Sequence, residues 1–231
     1  MQTTGQSAPA KVPATARRRR PEWLVPAGLI FLSLIPVLAG AARLTELTGG
    51  AEVTERNARF FDSPAPVLIH IVSVTVYSLL GAFQFVPSLR QRRRRWHSIA
   101  GRILLPAGLL AALSGLWMAV FYTLPASDGQ LLLVLRLVFG SAMAASLILG
   151  LRAVLRRSFV AHGAWMSRAY AIGAGAGTQA MILIVPELLS SPPDVTTRAL
   201  LMGAAWVINL VVAEYFIRRR ALSTRPTPRA H

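Results

Sequence analysis

Residues 66–122 read PVLIHIVSVTVYSLLGAFQFVPSLRQRRRRWHSIAGRILLPAGLLAALSGLWMAVFY. An apolar run from Pro66 to Leu89 is followed by five arginines between Arg90 and Arg95, then by a second apolar run from Ser98 to Tyr122. Each run has roughly the 20 residues a helix needs to cross a hydrocarbon core. In lipid the backbone N–H and C=O groups must be satisfied within the segment, so such runs are helices. The stretch therefore reads as two membrane spans joined by a short basic turn.

Four further apolar runs lie outside it: Trp23 to Ala42, Leu131 to Leu155, Ala164 to Val185 and Ala199 to Ile217. The arginines set the orientation. They cluster at Arg17 to Arg20, Arg90 to Arg95, Arg152 to Arg157 and Arg218 to Arg220. The gaps between these clusters are poor in them: Leu124 to Gln130 has no Lys or Arg, and Glu187 to Arg198 has one. Arg43 to Ala65 has three arginines against three glutamates and one aspartate. Basic loops stay on the cytoplasmic side, so the alternation predicts six spans with both chain ends inside. Five or seven spans would place one arginine cluster on the wrong face. The expected fold is all-α, a multi-pass six-helix bundle in a bacterial plasma membrane. Residues 21–218 form the membrane domain, and residues 1–20 and 219–231 read as disordered cytoplasmic tails. One alternative concerns the first span: four arginines, an apolar run and Ala39-Gly40-Ala41 also resemble a cleavable signal segment.

Composition agrees. The chain of 231 residues is 54% hydrophobic and only 15% charged, with a mean hydropathy of +0.50, too little charge to cover a soluble surface. The net charge of +16 comes in topological bursts, not in a basic domain interleaved with aromatics, which argues against nucleic acid as a partner. No cysteine is present, so disulfides, thiolate metal sites and a Cys nucleophile are excluded. Neither a phosphate-binding Gly-rich loop nor an H-E-x-x-H or G-x-S-x-G motif occurs.

Polar groups inside a membrane are costly and are the first candidates for function. On the second span His70, Ser73, Tyr77, Gly81 and Gln84 recur at helical spacing and form one stripe. It serves either interhelical hydrogen bonding or a ligand or proton path. Trp96-His97 with Gly101-Arg102 opens the third span, and His162 with Trp165-Met166 and Arg168-Ala169-Tyr170 opens the fifth. Both histidines are expected at one cytoplasmic depth. They act as interfacial anchors, or together they bind a metal, a haem iron or an anionic head group. Arg102 and Arg168 lie deeper, where they snorkel to lipid phosphates or pair with a carboxylate. Glu214 on the sixth span has Arg218 four residues on, the favourable order for a helical ion pair; its alternative partners are Arg102 and Arg168. Asn209 lies at mid-depth on the same span. On the fifth, Gly173 and Gly177 form a G-x-x-x-G packing motif, and Gln179 shares a face with Gly175 and Arg168. Arg136 on the fourth span has three possible destinations: outward solvent, Glu187 or Asp128.

Gly81-Ala-Phe-Gln-Phe-Val-Pro-Ser-Leu-Arg90, Trp96-His97, Gly101-Arg102, His162, Trp165-Met166, Arg168-Ala-Tyr170, Trp206, Asn209-Leu210 and Ala213-Glu214 together resemble a bacterial membrane family, domain of unknown function 2306. The resemblance covers Pro66 to Arg218, and His70 matches a family histidine early in the second span. Where the family has Arg after the first-motif His, this chain has Ser98. The resemblance implies that His70, Gln84, His97, Arg102, His162, Arg168, Asn209 and Glu214 belong to one shared site, and it brings no activity with it.

Three functions follow as expectations. The first is binding or transport of a small anionic or lipid-like ligand at a cytoplasm-facing His/Arg site, contributed by His70, Tyr77, Gln84, His97, Arg102, His162, Arg168, Gln179, Asn209 and Glu214. The second is a redox protein carrying b-type haem, with His97 and His162 as axial ligands, or using quinone. The third is an accessory subunit whose polar residues serve only folding. Apart from the bilayer, no partner, enzymatic activity or oligomeric state is legible.

Overall fold

A computed structural model describes residues 22–189 and 191–223. The expected tail 1–20 and most of 219–231 lie outside the described residues. Among the described residues, six helical segments are long and apolar enough to cross a membrane. Span one is α1 (Leu24–Thr48). A short helix, α2 (Ala58–Asp62), lies in the connection to span two, which is α3 (Pro64–Ala82) extended by a 3-10 turn (Phe83–Phe85). Then come α4 (Pro87–Arg92), span three as α5 (Arg94–Phe121) and span four as α6 (Gln130–Leu155). Span five is two helices, α7 (Phe159–Gly173) and α8 (Gly175–Leu188), and span six is α9 (Val195–Ser223).

Most helices overrun the apolar runs that announce them. Helical hydrogen bonding does not stop where the hydrocarbon does, and α9 accordingly continues through Arg218–Arg220 to Ser223. Span two is the exception. A single run to Leu89 is expected, but the helix ends at Ala82, tightens into the 3-10 turn, and restarts at Pro87. Pro87 has no N–H, and its ring pushes the preceding residue out of the helical region; Val86 is extended, with ψ 115°.

The loop from Arg43 to Ala65 is organised around Asn57, which is buried. Its amide nitrogen donates to Glu46 Oε1 at 2.5 Å and to the Glu52 carbonyl at 3.0 Å, and its oxygen accepts from the Thr54 N–H at 2.6 Å.

The spans close into a ring in which α1 packs on α3, α3 on α5, α5 on α6, α6 on α9, α9 on α8 and α8 on α1. Span five crosses this ring. Its first half, α7, packs on α6 and α9, and its second half, α8, packs on α1 and α9. The break at Ala174 makes the crossing possible, with a small residue on either side where α7 and α8 meet. The core sits around the crossing: Tyr77, Leu104, Met143, Leu147, Tyr170 and Ile172. Large apolar side chains such as Phe31, Val72, Leu113, Val138 and Val211 point outward and are exposed, as lipid-facing positions require.

Glycines allow the close approaches. A Cβ at Gly108 or Gly173 would press on the Tyr77 ring from two sides. A Cβ at Gly175 would enter Trp206, and one at Gly177 would collide with the Leu32 carbonyl oxygen. Pro36 lies four residues after Leu32 in α1 and has no N–H to give that carbonyl. The freed oxygen is therefore met by the bare Cα face of Gly177. The G-x-x-x-G expected to pack does so, on Tyr77 through Gly173 and on α1 through Gly177.

Candidate functional site

The ten residues expected to share one site divide between the two ends of the bundle. Gln84, His97, Arg102, His162, Arg168 and Glu214 lie toward the arginine-rich end, where α5 and α7 begin and α9 finishes. His70 and Tyr77 line a cavity running toward the opposite end. Gln179 and Asn209 tie spans together between them.

At the arginine-rich end the 3-10 turn forced by Pro87 carries Gln84, and it packs against α5, which opens with His97. Gln84 Nε2 and His97 Nδ1 are buried and have no hydrogen-bond partner among the described residues. Arg90 and His162 both lie within electrostatic reach of His97. His162 Nδ1 donates to the Gly150 carbonyl at 2.9 Å. A carbonyl only accepts, so in the neutral ring this nitrogen holds the proton and Nε2 is left as an acceptor. Gly150 lets Trp165 and Met166 approach α6 at the same level.

Arg168 is engaged. Its Nε donates to Glu214 Oε1 at 2.5 Å, with the two side chains 27% and 32% exposed. Its guanidinium lies 4.6 Å from the Trp165 ring centroid. Glu214 reaches Arg218 only at 4.0 Å. The long-range partner therefore dominates over the neighbour four residues on. Arg102 has no ion pair among the described residues.

Asn209 Nδ2 donates to the Ala171 carbonyl at 3.2 Å, and its Oδ1 accepts from Thr178 Oγ1 at 3.0 Å. Gln179 is buried and donates to the Met202 carbonyl at 3.1 Å. Both join span five to span six, the packing role polar side chains take in membranes. Tyr170, absent from the ten, donates to the Ser78 carbonyl at 2.7 Å and packs its ring on Tyr77 and Phe85. Its place in the Arg168-Ala-Tyr170 motif is the signal that marks it.

A cavity of about 420 Å³ runs from the middle of the bundle toward the end away from the arginine clusters. Tyr77, Met143, Ile172, Gln179 and Trp206 line its depth. His70 lines it nearer the mouth, where its Nδ1 donates to the Ala111 carbonyl at 3.0 Å, with Ser114 Oγ at 3.1 Å. Nε2 of the neutral ring is again the free acceptor. The Tyr77 hydroxyl has no hydrogen-bond partner among the described residues.

Arg59, Asp128 and Arg136 stand at the mouth. Asp128, only 6% exposed at its side chain, accepts from Arg136 at 2.7 Å and from Arg198 at 3.3 Å. Of the destinations open to Arg136, it takes Asp128. Arg59 and Arg198 were not marked in the sequence. A carboxylate in the otherwise uncharged gap before span four, eight residues before Arg136, was the available clue to this cluster.

Among the described residues no three His, Asp or Glu side chains converge as metal ligands. His70 lies at the other end from His97 and His162, so the three histidines in or beside the spans do not form one group.

No curated protein and no solved structure matches the chain. Residues 67–217 match the family described as predicted membrane protein DUF2306, and the chain, a multi-pass membrane protein, belongs to that family.

Proposed function

We propose that the protein binds a small anion, free or as the head group of a lipid, at its arginine-rich end, which the loop charges orient toward the cytoplasm. Gln84 and His97 contact the anion, His162 stands beside them, and Arg90 and Arg102 supply positive charge. The observation that carries this reading is the pair of buried, unpartnered nitrogens, Gln84 Nε2 and His97 Nδ1. A buried polar group left unsatisfied costs about 1–3 kcal/mol, which an oxygen ligand would recover. An amide N–H donates and does not ligate a cation, so the pair suits an oxyanion. Arg168 belongs to the surroundings and not to the contact shell, because Glu214 already holds it.

The test uses the full chain in phosphatidylcholine nanodiscs, with thermal unfolding as the readout. Inorganic phosphate is added in one arm, and phosphatidylglycerol replaces part of the lipid in the other. A ligand at a hundred times its Kd stabilises by about 2.7 kcal/mol. Stabilisation by phosphate assigns a free anion, and stabilisation by phosphatidylglycerol alone assigns a head group. Either must be lost in Gln84→Leu and His97→Ala. If neither arm stabilises the protein, or if both variants respond as the parent does, the reading is wrong.

A further inference from the structure

The cavity at the opposite end has its own chemistry, separate from the anion site proposed above. Its walls are largely aliphatic, with Ile71, Val74, Leu116, Met143 and Ile172 among them, and all six spans contribute. At about 420 Å³ it falls in the range that holds one drug-sized molecule. That is too small for a phospholipid with two acyl chains and needlessly large and apolar for an inorganic ion.

Its mouth carries an excess of positive charge. Three guanidiniums, those of Arg59, Arg136 and Arg198, stand around the single carboxylate of Asp128, which pairs with the latter two. Arg59 has no ion pair among the described residues: it donates to the Thr123 carbonyl at 3.2 Å and lies 4.6 Å from the Phe60 ring centroid. Arg43 sits on the same ring at 4.4 Å, but Glu46 neutralises it. Burial, and after it the charge of Arg43, hold the pKa of Arg59 below its ordinary value, with Asp128 acting against them and Arg136 with them. That is the situation of a cation which gains from a further anion.

We infer that this cavity is a binding site for a single-chain amphiphile with a carboxylate head, the head lying at the mouth against Arg59 and Arg136 and the chain lying along Ile71, Val74, Met143 and Ile172. His70 Nε2 and the Tyr77 hydroxyl form a polar band on the chain's path. They take a water, or a hydroxyl carried by the chain. The positive mouth selects the charged head, and the aliphatic walls select the length and the single chain. A carboxylate oxygen placed at Arg59 makes a charge-assisted hydrogen bond, the strong kind, in a setting where lipid and protein exclude most water.

The experiment is binding of tritiated dodecanoate to the full chain in phosphatidylcholine nanodiscs, read by scintillation proximity against empty nanodiscs, with dodecanol as the uncharged competitor. Expected are saturable binding, weakening of about tenfold in Arg59→Gln, corresponding to one charged hydrogen bond, and competition by dodecanol that is weaker than that of unlabelled dodecanoate to a similar degree. Arg59 takes part in no ion pair among the described residues, so this variant is not expected to disturb the fold. Thr75→Phe, which places a ring in the cavity, abolishes binding, whereas Gln84→Leu at the other end leaves it intact. Absence of saturable binding, unchanged affinity in Arg59→Gln, retained binding in Thr75→Phe, or equal competition by the alcohol would each overturn the assignment. Because the probe and the variants differ from those of the phosphate experiment, either proposal can fail without the other.

Discussion

Glu214 decides how much of the arginine-rich end is available to a ligand. It holds Arg168 across the bundle and leaves the neighbouring Arg218 at the edge of contact. Removing its charge releases a guanidinium beside the proposed anion site. Glu214→Gln is therefore expected to tighten phosphate binding several-fold, through the loss of one negative charge nearby, where a purely structural carboxylate would leave affinity unchanged. Titration calorimetry on the parent and the variant distinguishes the two. The residue types were legible in the sequence, because polar groups at membrane depth stand out against aliphatic ones, and eight of those singled out carry the motifs of the family. Their partners were not. Glu214 lies 46 positions from Arg168 and four from Arg218, and local spacing favours the nearer. Asn209 and Gln179 look the same in sequence as Gln84, yet the first two are satisfied by backbone carbonyls and the third is orphaned at Nε2. Only the three-dimensional packing separates glue from site.

At the scale of the helices, punctuation matters more than periodicity. Pro87 ends span two early and so swings Gln84 into a 3-10 turn. Gly173 and Gly175 flank the break that lets span five cross the ring. Both signals were present in the chain, but an apolar run reads as one helix unless the cost of its Pro and Gly is weighed against tertiary gain, and that gain is invisible in one dimension. The start of α9 shows a conventional signal obeyed. Asp194 accepts from the Thr196 and Thr197 N–H groups at 2.9 and 3.1 Å and from Thr197 Oγ1 at 2.5 Å, the arrangement of a helix cap. The Thr197 hydroxyl and then its N–H hold the carboxyl pKa below the ordinary 3.8. A depressed pKa means the cap contributes fully above the unfolded value and is lost as pH falls through the folded one. Amide exchange at Thr196 and Thr197, corrected for intrinsic rate, should thus be flat through neutral pH and accelerate only below about pH 4. Acceleration beginning near pH 6 would contradict the assignment. The contact of Gly177 with the Leu32 carbonyl makes a sharper demand. Gly177→Ala must push α8 from α1 and should cost about 1–3 kcal/mol, as overpacking does, while Gly163→Ala, where a Cβ meets nothing, should cost nothing measurable.

For the molecule as a whole, the helical class was readable from hydropathy, because lipid leaves the backbone few options, and the number of spans from hydropathy together with the alternation of the arginine clusters. Orientation rests on the arginines. The chain contains no cysteine, so single cysteines report it directly. Ser127→Cys, in the connection between spans three and four, should react with an impermeant maleimide in intact cells, and Ser158→Cys, in the turn between spans four and five, only after the membrane is opened. The reverse pattern would invert the molecule and move the proposed anion site to the outer face. Where the polar residues would gather was less legible. One cytoplasmic site was expected, and the bundle divides the candidates between two ends, because a stripe along a single helix spans the full membrane and its members need not meet.

Span one lies outside the stretch that matches the family, which begins at residue 67. Yet the missing side chain at Gly177, well inside that stretch, is explained by an oxygen on span one that Pro36 has released. Position 177 therefore serves as a gauge of docking in other chains of this pattern. A glycine there announces a first helix seated against the fifth by a proline-freed carbonyl. A larger residue announces that the first helix is absent, or that it lies elsewhere on the bundle.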